Sequence, residues 1–402
     1  MSKQSRQHQV RQQHRTGVHP SLLRATLVGT VLGGLGAAAA LSTPSLGAME
    51  TLGLARNPDS AAQSQPQQPT TTVTVTGDLL WHEPVWESAM TENGGWDFTP
   101  VFGPMSDFIS GADLSICHEE VMFAPWEGPF TGYPQFQAPP QIAQGVAEAG
   151  WDLCTTASNH SVDGGFPSIE RTLNAFDEAG VLHVGTARSP EEAAQPVIYT
   201  TDDGVRIGVV AGTYGTNGLP VPQPWMVQDL DVDELLAKAA ATREAGADIV
   251  MVAMHAGGEG MTEPDGQQLW LADALTRSPD VDVVYGHSSH AVQPIEKVNG
   301  KWVVYGLGNL VAAQTKDNYL AYEGLAVEFS FVPDGDGYRV KQLKYVPTVI
   351  SAHGERPVRA TPISDLLGTP GADDDRLRAV LNRTRDTVRS RGADMEAEFV
   401  EG

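Results

Sequence analysis

Between Val73 and His287 the chain repeats one figure: a short run of β-branched and apolar residues, a polar turn, then a stretch with helical periodicity. The runs VTVTG, DLSIC, DLCTTA, RIGVVAG, DIVMVAMH and DVVYGH are interleaved with the helical stretches PQIAQGVAEAG, SIERTLNAFDEAG, VDELLAKAAATREAG and GQQLWLADALTR. A helix between two strands carries the chain back across the sheet, so such strands pair in parallel. After Lys301 the figure changes. KWVVYGLGNLV, LAVEFSFV and YRVKQLKYVPTVI follow one another with little helix between, which predicts an antiparallel portion or a second sheet. The fold class is therefore α/β.

In such folds the carboxyl ends of parallel strands open into a crevice, and ligands bind there. Five strand ends carry metal-ligand chemistry. Asp78 follows VTVTG, His118 and Glu120 follow DLSIC, and Asn159 and His160 follow DLCTTA. His255 and Glu259 close DIVMVAM, and His287 and His290 close DVVYG. Singly, each has a plain structural use: Asp78 as a turn cap, Asn159 as a left-handed turn residue, His255 as a hydrogen-bonded core histidine. Taken together they do not, and two imidazoles on the short loop GHSSH have few structural uses. Mixed nitrogen and oxygen donors suit manganese, iron or zinc rather than calcium. Two such ions would share a carboxylate and a bridging hydroxide, stabilising the attacking and leaving oxygens of a displacement. A further histidine that is not a ligand would protonate the leaving group.

The start of the chain has a different character. Lys3, Arg6, Arg11, Arg15 and Arg24 precede the apolar run TLVGTVLGGLGAAAALS and the small-residue stretch SLGAME, the pattern of an export signal. Residues 1–47 are read as a secretory signal, with an uncleaved membrane anchor as the alternative, although the run falls short of the roughly 20 residues that span a bilayer. Either reading puts the protein outside the cytoplasm, secreted or in the cell envelope. Residues 48–71, with NPDSAAQSQPQQPTTT, form a linker that cannot build a core. The folded domain then covers 72–352, and 353–402 is a polar C-terminal tail. In that tail Leu377, Val380, Leu381, Thr384 and Val388 recur at helical spacing, giving an amphipathic helix that packs on the domain or on a partner.

A formal charge of −24 disfavours nucleic acid, which is bound through clustered basic residues. It would also repel polyanions unless a bound cation offsets the field. The chain has no P-loop and no GxSxG elbow, which removes two common enzyme classes. Cys117 and Cys154 allow one internal disulfide, but both lie in apolar runs, so buried free thiols are an equal expectation.

The ordered series GD, HEE, SNHSVDGG, TYGTNG, HAGGE, GHSSHAVQPIE and YGLGNLV, from about Val73 to Val311, resembles the poly-γ-glutamate capsule synthesis protein family (CapA) of the calcineurin-like metallophosphatase superfamily. The resemblance implies a metallophosphatase-like four-layer α/β/β/α sandwich of two mixed sheets, with two divalent metal ions at the strand ends. By position, Asp78 and His290 would bind one metal, Glu120 would bridge, and Asn159, His255 and His287 would bind the other. His160 would be the catalytic acid, and Ser158, Asp163 and Glu259 would orient these groups. The chain departs from the family's wording at several places. Leu80 stands where ordinary metallophosphatases have a histidine, and His118 and Ser158 replace asparagines. Ala256 replaces tryptophan, and Ser288 and Ser289 replace His-Pro. His118 is thus a candidate additional ligand of the first metal, supplying the imidazole that Leu80 lacks. The implied function is a metal-dependent hydrolase of a phosphoester or a γ-glutamyl amide in capsule biosynthesis, alongside membrane-bound synthesis machinery. The alternative is a non-catalytic factor that binds, assembles or exports the anionic polymer.

Overall fold

The computed structural model describes residues 69–402. The export segment expected over 1–47 lies outside them, as does most of the linker expected over 48–71. Among the described residues no helix is long and apolar enough to cross a membrane.

The chain first lays down four strands, β1 (Thr71–Leu79), β2 (Leu114–Glu119), β3 (Leu153–Thr155) and β4 (Leu182–Val184), neighbours in that order and all parallel. It then builds a second sheet from β5 (Val197–Thr200), β6 (Arg206–Thr213), β7 (Ile249–Ala256), β8 (Val283–Ser288), β9 (Ile295–Val298) and β10 (Lys301–Val304). The order of that sheet is β5-β6-β7-β8-β10-β9, parallel inside and antiparallel at both edges. Finally the chain returns to the first sheet. β11 (Asn309–Val311) joins β1 in parallel, β12 (Glu323–Asp334) joins β1 antiparallel, and β13 (Gly337–Ile350) and β14 (Ala360–Pro362) extend the edge. β15 (Phe399–Glu401) pairs with β13.

Strand alternation sorts the apolar residues into layers. Val73, Val75, Leu114, Ile116, Val327 and Phe329 of the first sheet meet Ile207, Val209, Met251, Ala253, Val283 and Val304 of the second in one buried cluster between the sheets. Their strand neighbours point outward. On the first sheet these residues pack against α1 (Ile142–Ala149) and α2 (Phe166–Ala179), through Ile142, Val146 and Phe176. On the second, Val210, Val250, Val252 and Val284 pack against α3 (Val232–Glu244) and α4 (Gly266–Arg277), through Leu235, Ala239, Leu271 and Leu275. The result is the four-layer sandwich of two mixed sheets expected from the sequence.

One local expectation comes out differently, and one open alternative is decided. Residues 353–402 do not form a tail beyond a boundary at 352, because β14 and β15 are strands of the first sheet. The amphipathic helix, α5 (Asp374–Arg389), packs on its own domain through buried Leu377, Val380, Thr384 and Val388, and Arg383 pairs with Glu323. The polar composition that suggests a tail comes from its solvent face. Cys117 and Cys154, left open between thiols and a bridge, are joined as a disulfide. They stand opposite each other in register on β2 and β3, a pairing that apolar context alone does not reveal.

Candidate metal centre

The carboxyl ends of strands from both sheets converge on one buried cluster. Close backbone approach brings them there. A Cβ on Gly77, just before Asp78, would collide with the carbonyl oxygen of Gly308, and one on Gly286, just before His287, with that of Tyr305. Past Gly286 the loop turns sharply: Ser288 and His290 have φ of 86° and 51°, left-handed values unusual outside glycine. The turn aims both imidazoles of GHSSH at Asp78.

Asp78 is fully buried and lies between them. His287 Nδ1 donates to its Oδ1 at 2.8 Å, and His290 Nδ1 approaches Oδ2 at 3.1 Å and Asn309 Oδ1 at 2.9 Å. Burial opposes its charge, but the hydrogen bonds from His287 and His290 outweigh burial and hold the carboxyl well below the ordinary aspartate value. With Nδ1 engaged, His290 turns Nε2 toward Glu120 Oε1, 3.6 Å away. Burial likewise opposes charge on His290, yet Glu120 and Asp78 push its pKa up to about 10. Glu120 itself is raised to about 7, chiefly by burial. Both Glu120 oxygens and His287 Nε2 are buried without hydrogen-bond partners.

Candidate ligand atoms fall into two groups, Asp78 with Glu120 and His290, and Asp78 with His118 and His287, in each of which the atoms lie within 4.8 Å of one another. Asp78 is common to both, whereas the sequence reading gave the shared position to Glu120. The reason is topological. β1 is flanked by β2 and β11 and faces β8, so its carboxylate meets both histidines of the β8 loop. Glu120, one residue past β2, groups with Asp78 and His290 but not with His287. His118 likewise falls beside His287 rather than in the His290 group, where the sequence reading would have used it. Asn159 Oδ1 and His255 Nε2 lie 2.8 Å apart, so the remaining expected ligands also meet.

The expected helper residues divide. Asp163 Oδ2 accepts from His160 Nδ1 at 2.6 Å and from the Phe136 amide at 2.7 Å, which fixes the ring and leaves His160 Nε2 free for chemistry. Ser158 Oγ donates to the Glu120 carbonyl and accepts from the His160 amide, binding this loop to β2. Glu259 is exposed and, among the described residues, makes no hydrogen bond; its charge bears on Glu120, Tyr214 and His290. Three contributors escaped the sequence reading. Asn309 sits in YGLGNLV and braces His290; Thr155 contacts His118; Asn217, with φ of 53°, accepts from Asn159 Nδ2 at 3.3 Å. Asn309 and Asn217 lie inside motifs that were noted, so the signal was present without a residue assigned to it.

The donor set fits divalent cations. Unpartnered carboxylate oxygens and an unpartnered imidazole nitrogen in a buried site are costly unless a cation meets them. A ligating imidazole must be neutral and a ligating carboxylate ionised, so binding displaces protons from His290 and Glu120. Cation affinity should accordingly rise about tenfold per pH unit between pH 7 and 9, and faster below 7 where Glu120 must also deprotonate. Chelator-competition titrations across this range measure the slope; a flat profile would show that these groups do not ligate.

Glu119 points to the opposite face of β2, where Trp81 Nε1 donates to Oε2 at 3.1 Å and Oε1 has no partner. Burial, reinforced by the charge of Glu120, raises its pKa well above the ordinary value against the hydrogen bond from Trp81. The folded chain therefore keeps this proton to a higher pH than the unfolded chain does. Stability should fall as pH rises above the ordinary glutamate value, by up to about 1.4 kcal/mol per pH unit until the raised value is reached. Glu119→Gln should flatten that fall, read from urea unfolding in chelator at pH 5, 6 and 7.

Residues 72–314 match the family described as bacterial capsule synthesis protein PGA_cap. The chain belongs to this family. A PGA_cap relative, the capsule biosynthesis protein CapA of Bacillus anthracis, is 30% identical over 194 residues, 45% of this chain and 46% of its own. A probable polyglutamine synthesis accessory protein of Mycobacterium tuberculosis is 31% identical over 192 residues, 44% of this chain and 48% of its own. The PGA biosynthesis protein CapA of Bacillus subtilis is 26% identical over 226 residues, 53% of this chain and 54% of its own. The PGA_cap chain thus spans about half the length of the curated relatives it matches. Among solved structures, the calcineurin-like phosphoesterase YfkN of Bacillus subtilis aligns over 80% of this chain and 98% of its own. Its TM-score is 0.44 at 14% identity, too distant a likeness to carry a function.

Proposed function

We propose that this PGA_cap protein is an extracytoplasmic, two-cation hydrolase of capsule or poly-γ-glutamate biosynthesis, acting on a phosphoester or a γ-glutamyl amide. The observation that carries this reading is the set of buried atoms, both Glu120 carboxylate oxygens and His287 Nε2, that make no hydrogen bond, around the ionised Asp78. Asp78, Glu120 and His290 would hold one cation, and Asp78, Asn159, His255 and His287 the other. When bound, such ions supply Lewis acidity and a nucleophile near neutral pH.

The chain's own residues do the rest. His160, fixed by Asp163, presents Nε2 to protonate a leaving group. The half-exposed Tyr214 ring lies parallel to His255, centroids 6.0 Å apart, and offers a wall for the substrate. The relatives' names favour a capsule polymer or one of its precursors as substrate, and on this reading the chain works beside membrane-bound synthesis machinery. The basic and apolar N-terminus favours delivery across the membrane.

A second reading, a non-catalytic assembly or export factor, draws on one observation: the relatives are named for biosynthetic and accessory roles rather than for a reaction. Purified protein analysed for bound metal, then assayed with manganese on an aryl phosphate and on poly-γ-glutamate, separates the two. Cations with turnover on either substrate support the hydrolase. Failure to bind any cation ends that reading, and binding without turnover favours the accessory one.

A further inference from the structure

His118 lies near enough to Asp78 and His287 to pass for a ligand, but its orientation says otherwise. Its ring is stacked on that of His287, with centroids 4.1 Å apart and planes within 17°. An imidazole lone pair lies in the ring plane. Two rings face to face hold their lone pairs in nearly parallel, separated planes, which cannot meet at one ion about 2 Å from each nitrogen. Both nitrogens of His118 are moreover engaged elsewhere. Nδ1 is 2.8 Å from Thr155 Oγ1, and Nε2 is 2.9 Å from His255 Nδ1. The other nitrogen of His255 faces Asn159 Oδ1, and Thr155 Oγ1 donates to the Cys117 carbonyl at 3.3 Å.

We propose that His118 is a positioning residue for His255 rather than a metal ligand, the middle of a hydrogen-bond line running from the Cys117 carbonyl through Thr155 to His255. The inference rests on the cation reading above and assigns every proton in the line. His255 Nδ1–H donates to His118 Nε2, His118 Nδ1–H donates to Thr155 Oγ1, and the Thr155 hydroxyl donates to the carbonyl. His255 Nε2 is thereby left with a bare lone pair on the side of Asn159. Partners of this kind fix the tautomer and the direction of a ligating histidine. The disulfide lies one step back along the same strands: Cys117 is paired with Cys154, and His118 with Thr155.

The test uses the full chain loaded with zinc, with metal stoichiometry, affinity and the number of coordinated imidazoles from X-ray absorption as readouts. His118→Gln should keep the wild-type imidazole number and weaken affinity about 10- to 100-fold, whereas His255→Gln should lose one imidazole. Thr155→Val removes no imidazole and should weaken affinity in the same direction, which keeps the test decisive if His118→Gln does not fold. An imidazole number that falls in His118→Gln as it does in His255→Gln would make His118 a ligand. Unchanged affinity in Thr155→Val would break the line. If the wild-type chain binds no zinc, manganese or iron, the cation reading itself fails, and the assignment of His118 falls with it.

Discussion

Asp78→Ala is expected to yield a protein that folds but holds neither cation. Its carboxylate is common to both groups of candidate ligands, with one oxygen toward His287 and the other toward His290. Losing a residue that only braces a ligand costs 10- to 100-fold in affinity, so losing the shared ligand should exceed about 100-fold at both positions. Turnover should fall below detection with it. Cation-free stability should drop as well, by roughly 3 kcal/mol, because the substitution leaves a buried His290 charge with fewer partners. Since Asp78 is held below the ordinary aspartate value, its contribution is present above that value and is lost as the pH falls through the depressed one. Metal analysis, far-UV circular dichroism, the turnover assay and urea unfolding at pH 7 and at acid pH read these effects. A variant that keeps one tightly bound cation would show that Asp78 is not shared.

His160→Gln should do the reverse, keeping the cations and losing the chemistry. A positioned acid contributes about 10² to 10⁴ in rate, and the 2.6 Å bond to Asp163 is the geometry that positions it. Asp163→Asn should give a smaller loss, because the ring stays but its tautomer is no longer fixed. The loss should also shrink for substrates whose leaving group needs no proton, such as nitrophenyl esters, relative to alkyl esters. Equal losses on both kinds of substrate would move His160 from proton donor to binding group.

The sequence made the strand ends legible because a strand ending in a polar residue is a local pattern, readable within a few residues of Asp78, His255 or His287. Which side chains touch is not local. Asp78 and Asn309 meet because β1 is paired with β11, and nothing near either residue announces a partner so far along the chain. That Asp78 belongs to both groups of candidate ligands is hidden for the same reason: β1 pairs with β2, β11 and β12, whereas its own neighbourhood reads only as a strand followed by GD. His118 shows a second limit. Residue type and position made it a candidate ligand, but a stacked ring and two engaged nitrogens are facts of orientation, and orientation is set by packing. The C-terminal strands stayed hidden because three-residue pieces such as Ala360–Pro362 and Phe399–Glu401 have too few residues to show a period.

The position of β1 has a consequence in time. It is the earliest strand of the described chain, yet its antiparallel neighbour, β12, pairs Val75 with Val327, and the brace on His290 comes from Asn309. A chain emerging N-terminus first thus presents Asp78 long before the partners that confine it. Long-range pairing of this kind closes late, because loop-closure entropy must be overcome before the contact rewards it. On the two-cation reading, tight capture becomes a checkpoint on completeness: a polypeptide halted before Asn309 carries every candidate ligand but lacks the brace on His290.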